Sequence, residues 1–185
     1  LAALDTIGGI TGTLTDDDGT YLLATTGDNV TAVASSADDD ITLAYGTVAA
    51  SDEVVTKLIA NAQLAGTTRF TGSLTSINAD QAEDIGDSSH INDQDSSGNS
   101  NNISTMTLTT DAAISATVAA NLAGKGTAVF SAGLTGNLAT YADADGITDA
   151  FSTASTEDDN VAVSITDVGG LDGDDVAALN RIAAA

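Results

Sequence analysis

Short runs of alternating apolar and polar residues are separated along this chain by stretches of helical spacing. Ile10 and Leu14 face one way and Thr11 and Thr13 the other. Ile41, Leu43 and Tyr45 alternate in the same manner with Thr42 and Ala44, and Met106 and Leu108 with Thr105 and Thr107. A period of two with β-branched residues predicts half-buried strands. Thr15, Thr75 and Thr135 follow the first strand of each stretch, where each is expected to cap a short helix. Gly27, Gly86 and Gly146 are expected to end those helices in the left-handed conformation. A further helix is predicted after Ser51, with Asp52 and Glu53 in its first turn and Val54, Val55, Leu58, Ile59 and Ala62 on one apolar face. Lys57 and Arg181 are expected toward the ends of their helices, where the dipole favours a cation.

The pattern repeats. "ITGTLT" at Ile10–Thr15, "FTGSLT" at Phe70–Thr75 and "FSAGLT" at Phe130–Thr135 follow one another at an interval of 60 residues. Gly66 and Gly126 keep the same interval. A second phrase recurs later in each unit, beginning at Ile41, Met106 and Val163 and running into Asn61, Asn121 and Asn180. The opening "AALDTIGG" echoes the closing "AALNRIAAA". The expected organisation is therefore residues 1–9 as the tail of a preceding repeat, then units at 10–69, 70–129 and 130–185. Each unit reads strand, helix, strand, helix. The fold class expected is α/β, a repeat solenoid of strand–helix coils of about 30 residues with a parallel sheet. Separate beads of 60 residues would bury too little to stand alone.

Composition narrows the function. Against 27 acidic residues stand 4 Lys and Arg, for a net charge of −23. That field repels nucleic acid and anionic membrane surfaces and attracts cations. Cysteine is absent, which rules out disulfides and thiolate metal sites. Aromatics make up 3%, so the core rests on Leu, Ile and Val and suits stacked layers. No apolar stretch is long enough to form a membrane helix.

The acidic loops are the candidate cation sites. "NDQDSSGNSNN" places Asp93, Asp95, Ser97 and Asn99 at alternate positions with Gly98 between them. Oxygen ligands so spaced around a glycine turn can wrap a hard cation such as Ca²⁺, although the twelfth position holds Ser104 where an EF-hand has Glu. Asp143 and Asp145 in "DADG", and Asp172, Asp174 and Asp175 in "DGDD", complete the candidate metal ligands. "DDD" at Asp16–Asp18 and Asp38–Asp40, and "EDDN" at Glu157–Asn160, carry the same chemistry. Against each stands the plain alternative of a solvated turn. His90 in "DSSHIND" is the single histidine. Neighbouring Ser88, Ser89 and Asp93 do not make a triad, and no nucleophile elbow or phosphate loop accompanies them. The sequence presents no enzyme. Rows of Thr on the predicted strands raise ice binding as a remote reading, broken in the third unit by Ser131 and Gly133.

Phrases such as "ITGTLT" and "ITDVGGLDGDDVAALNRIAAA" resemble the tandem repeats of giant bacterial cell-surface and S-layer-like proteins of the cyanobacterial type. That resemblance implies an extracellular, cell-surface structural role, often calcium-stabilised, although the calcium-binding Gly-Gly-x-Gly-x-Asp nonapeptide of exported bacterial repeats is missing here. The expected function is assembly into a surface layer, filament or stalk by self-association, head to tail or laterally. The alternative is an adhesin-type module that recognises a glycan or another cell through loops such as residues 94–102.

Overall fold

The computed structural model describes residues 11–15, 40–63, 67–93, 103–143, 145–167, 169 and 172–185. The first strand's Ile10, the helix expected after Thr15 with Gly27, the Asp16–Asp18 run, Asp38, Asp39, Gly66 and the tail at 1–9 lie outside them.

Strands and helices alternate in a mixed α/β fold. In order they are β1 (Thr11–Thr15), β2 (Asp40–Ala49), α1 (Asp52–Ala62), β3 (Thr67–Ile77), α2 (Ala79–Asp87), β4 (Asn92–Asp93) and β5 (Ile103–Thr110). Then come α3 (Ala116–Ala123), β6 (Thr127–Phe130), β7 (Leu134–Gly136), a 3₁₀ turn (Leu138–Thr140), α4 (Asp149–Glu157), β8 (Val163–Ile165) and α5 (Gly173–Ile182).

Among the described residues every strand pairing is parallel. β1 pairs with β2, β2 with β3, and β3 with β5. The far edge of β5 is shared: β4 takes its first two residues and β6 its last four. A bridge from Ile114 to Leu134 carries the pairing on to β7, which pairs with β8. Parallel neighbours need a crossover, and α1, α2, α3 and α4 supply those between β2 and β3, β3 and β5, β5 and β6, and β7 and β8.

The strand alternation falls as expected. Ile41, Leu43 and Tyr45 on β2, Phe70 and Leu74 on β3, and Met106 and Leu108 on β5 are buried in one core with Val55, Leu58, Ile85 and Leu122 of the helices. Register puts Leu43 beside Phe70, and Leu74 between Val48 and Leu108. Tyr45 stacks on Phe70 at 6.2 Å, and Asn61 donates to the Tyr45 hydroxyl from α1. Burying each such side chain is worth about 1.5–3 kcal/mol. The opposite face carries Thr42, Thr71, Ser73, Thr105, Thr107 and Thr127, all exposed or half-exposed. Parallel sheets are ordinarily covered on both faces. Here no described element covers the hydroxyl face.

Ser51 caps α1 by accepting from the Val54 N–H, and Asp52 and Glu53 occupy the first turn. Val55, Leu58 and Ala62 are buried and Val54 and Ile59 half-buried. Arg181 lies in the last turn of α5. Lys57 does not lie at the end of its helix: it stands in the middle of α1.

The cap expectations at Thr75 and Thr135 are corrected. Thr75 pairs with Ala49 inside β3, and its hydroxyl donates to the Val48 carbonyl. Asn78 caps α2 instead, in a reciprocal box with Gln81. Thr135 belongs to β7, while Asn137 caps the 3₁₀ turn and Thr148 caps α4. Gly86 does not end α2 but sits inside it, where an added Cβ would lie 3.0 Å from Asn121 Cβ, so its small size admits α3. Gly146 precedes α4 rather than following a helix.

Glycine in the repeated phrase has a definite cause at Gly72. Its φ is +122°, and a Cβ there would stand 2.6 Å from the Gly46 carbonyl oxygen, where β2 and β3 slip register between Ala44 and Thr47. Gly72→Ala is therefore expected to cost about 2 kcal/mol or more. Urea unfolding should show a lowered midpoint with an unchanged slope; a midpoint equal to that of the unaltered chain would remove strain as the reason for this glycine.

Candidate functional site

Of the candidate metal ligands, Asp143, Asp174 and Asp175 line one cleft in the last part of the fold. Asp143 opens a tight turn: its N–H donates to the Gly146 carbonyl at 2.8 Å, and its Oδ1 accepts from the N–H groups of Asp145 at 2.8 Å and Gly146 at 3.0 Å. Those bonds, with the Arg181 guanidinium nearby, hold the exposed Asp143 carboxyl below the usual aspartate range. Arg181 also donates to the Asp143 carbonyl at 2.7 Å, which ties α5 to the turn. At the other end of α5, Asp172 Oδ1 accepts from Asp174 N–H at 2.9 Å and Asp175 N–H at 3.1 Å. Asp175 Oδ2 accepts from Asp172 N–H at 3.0 Å in return. Asp172 thus serves as helix cap.

Between these elements lies a cleft of about 250 Å³ lined by Leu138, Ala142, Asp143, Asp167, Asp174 and Asp175. Asp167, which the sequence reading did not single out, accepts from the Leu138 N–H at 2.8 Å and starts the 3₁₀ turn. Asp145 is exposed. Asp93 contributes backbone to β4, whereas Asp95, Ser97 and Asn99 lie outside the described residues. Among the described residues, no three His, Cys, Asp or Glu side chains are grouped so as to hold a metal ion. The carboxylates of Asp143, Asp167, Asp172 and Asp175 accept from backbone N–H groups.

The "EDDN" run behaves likewise. Glu157 Oε1 accepts from the Ala128 N–H at 2.9 Å, and Asp158 Oδ2 from the Phe130 N–H at 3.0 Å. Both amides belong to β6, and the two carboxylates take the place of a neighbouring strand. Charge-assisted bonds of this kind are the strong ones. Only a contact between residues far apart in sequence shows this role, so the acidic run alone gave no sign of it.

His90 and Ser89 are exposed, and Ser88 Oγ accepts from the His90 N–H at 3.4 Å. Lys125 donates from Nζ to the Ser88 carbonyl; burial lowers its pKa, and the nearby Asp87 carboxylate partly restores it. Tyr141 packs edge-on to Phe151 with ring centroids 5.4 Å apart, and burial pushes its hydroxyl up to about 12.

No helix among the described residues is long and apolar enough to cross a membrane. No family model, curated protein or solved structure matches this chain.

Two outcomes follow from these carboxylates. Asp143 has a folded pKa below its unfolded one, so the stabilisation it brings is complete above about 3.9. That stabilisation is lost as pH falls through the lowered value. A carbon-detected NMR titration should place the Asp143 midpoint below the ordinary aspartate range, and a midpoint at or above that range would contradict the turn geometry. Replacing Glu157 and Asp158 together by Ala leaves the Ala128 and Phe130 amides unpaired, at about 1–3 kcal/mol each. Hydrogen exchange at those two amides should quicken, with β2 and β3 unaffected; unchanged protection would show that the carboxylates are dispensable to β6.

Proposed function

We propose that this chain is an extracellular structural repeat protein, a solenoid of strand–helix coils that assembles into a surface layer, filament or stalk with cations screening its charge. The observation that carries the reading is the sequence separation of the bonds joining one coil to the next. Thr75 to Val48 spans 27 residues, Gln81 to Asp52 spans 29, and Phe130 to Asp158 spans 28. Ala128 to Glu157 and Leu138 to Asp167 span 29 each. A second group of bonds spans 34 to 38: Asn121 to Asp87, Thr105 to Phe70, Lys125 to Ser88 and Arg181 to Asp143. The paired residues of β5 and β6 are 20 apart, and steps of this order from one element to the next accord with a quasi-one-dimensional stack.

Repeated positions support the same reading. Phe70 and Phe130 are both buried, as are Leu74 and Leu134, at matching points of the two later copies of the first phrase. α2 packs on α3 and α3 on α4, in chain order. A fold that grows by adding coils suits a spacer or lattice element, and the resemblance to giant bacterial surface repeats points the same way. Each added copy brings a charge of −23, so close association needs counter-ions.

Electron microscopy of the purified chain tests this, first with about 2 mM Ca²⁺, a concentration that fills extracellular calcium modules, and again after EGTA. Regular filaments or sheets that disperse on chelation are the expected result. Assemblies indifferent to EGTA would keep the structural role and remove calcium from it. Monodisperse particles in both conditions would overturn assembly and favour a glycan-binding adhesin module.

A further inference from the structure

The β8 end of the fold is half of a junction that occurs complete elsewhere in the same chain. Among the described residues β8 pairs only with β7, through Leu134 to Val163, Thr135 to Ser164 and Gly136 to Ile165. Val163 and Ile165 match Met106 and Leu108 of the second repeated phrase. Met106 and Leu108 are each 1% exposed, with β6 beyond them in the sheet, whereas Val163 and Ile165 are half-exposed. Next to them Phe151, Val161, Val163 and Ile182 line a groove of about 310 Å³. The Ala162 carbonyl and the Thr166 N–H bond back toward β7. Backbone groups alternate along a strand, so Val163 and Ile165 present theirs to the open side.

The repeat identifies what belongs on that side. In the sheet, first-phrase residues lie beyond second-phrase strands at two junctions. β3, with "FTGSLT", follows β2; β6, which ends on Phe130, and β7, which begins at Leu134, hold the two ends of "FSAGLT" beside β5 and Ile114, while β4 meets only the first two residues of β5. One further copy of the first phrase exists, "ITGTLT", and its strand β1 pairs only with β2 among the described residues. β1 and β8 lie at opposite ends of the strand order. They do not pair with each other within one molecule.

We infer that β8 of one copy takes β1 of a second copy as its next parallel strand, so that the junction seen between β5 and β6 continues across molecules, with Val163, Ile165, Phe151 and Ile182 closed over by the incoming coil. The inference rests on the structural reading above and specifies its joint. Lateral contact through the hydroxyl face is the competing arrangement.

Cysteine is absent from the chain, so engineered pairs report contact cleanly. Chains carrying Ser164→Cys are mixed with chains carrying Thr11→Cys, Thr13→Cys or Thr15→Cys, and oxidised at about 1 M salt, where the screening length is about 3 Å. Thr105→Cys, on the exposed face of β5, serves as the lateral control. Neighbouring strands fall within disulfide reach. We expect one of the three β1 pairs to link at least ten times more than Thr105→Cys links with itself or with Ser164→Cys. Filaments that form while all three β1 pairs stay unlinked, or in which Thr105→Cys links with itself, would overturn this joint and leave the structural role standing. A chain that stays monomeric and unlinked at every concentration would overturn both.

Discussion

Each strand of this protein depends on the next one for both its hydrogen bonds and its cover. The inward residues of β2, β3 and β5 form a core one side chain deep, with Leu74 seated between Val48 and Leu108. Burial on one strand is supplied by its neighbours on either side, and the helices follow because each crossover must return the chain to the same end of the sheet. The acidic residues fit the same rule. Where β6 lacks a full neighbouring strand, Glu157 and Asp158 bond its amides; where the 3₁₀ turn opens, Asp167 does so.

Much of this was legible in the sequence because it is local. Period-two alternation located β2 and β5 and the sides they bury, and Ser51 with its acidic followers located α1. The helix starts after the first phrase were misplaced because Thr75 and Thr135 continue strands. Asn78, Asn137 and Thr148 offer better caps a few residues on, and the Asn78–Gln81 box was readable in the sequence. Gly86 reads as a stop signal until α3 is placed against it. Of the candidate ligands, Asp143 and Asp172 are turn and cap residues whose bonds span only two or three positions. Asp167, Glu157 and Asp158 act across 28 or 29 residues, a distance at which composition alone says nothing.

The exposed hydroxyl face sets this sheet apart from the usual parallel arrangement. Thr and Ser keep β-branched or small side chains on the strands while leaving water against the backbone. A sheet of this kind tolerates solvent on that face without a second helical layer. That economy suits an Ala-, Thr- and Asp-rich chain with little to spend on a core.

Strand-to-strand bonds in this fold point along the direction in which β1, β2, β3 and β5 follow one another. A pull applied between the two ends of that series would put the full force on every junction at once instead of dividing it among them, so the least-paired junction yields first. β2 and β3 share eight residue pairs, whereas β7 and β8 share three. Under tension β8 is therefore expected to part from β7 before the more thickly paired β2–β3–β5 block yields.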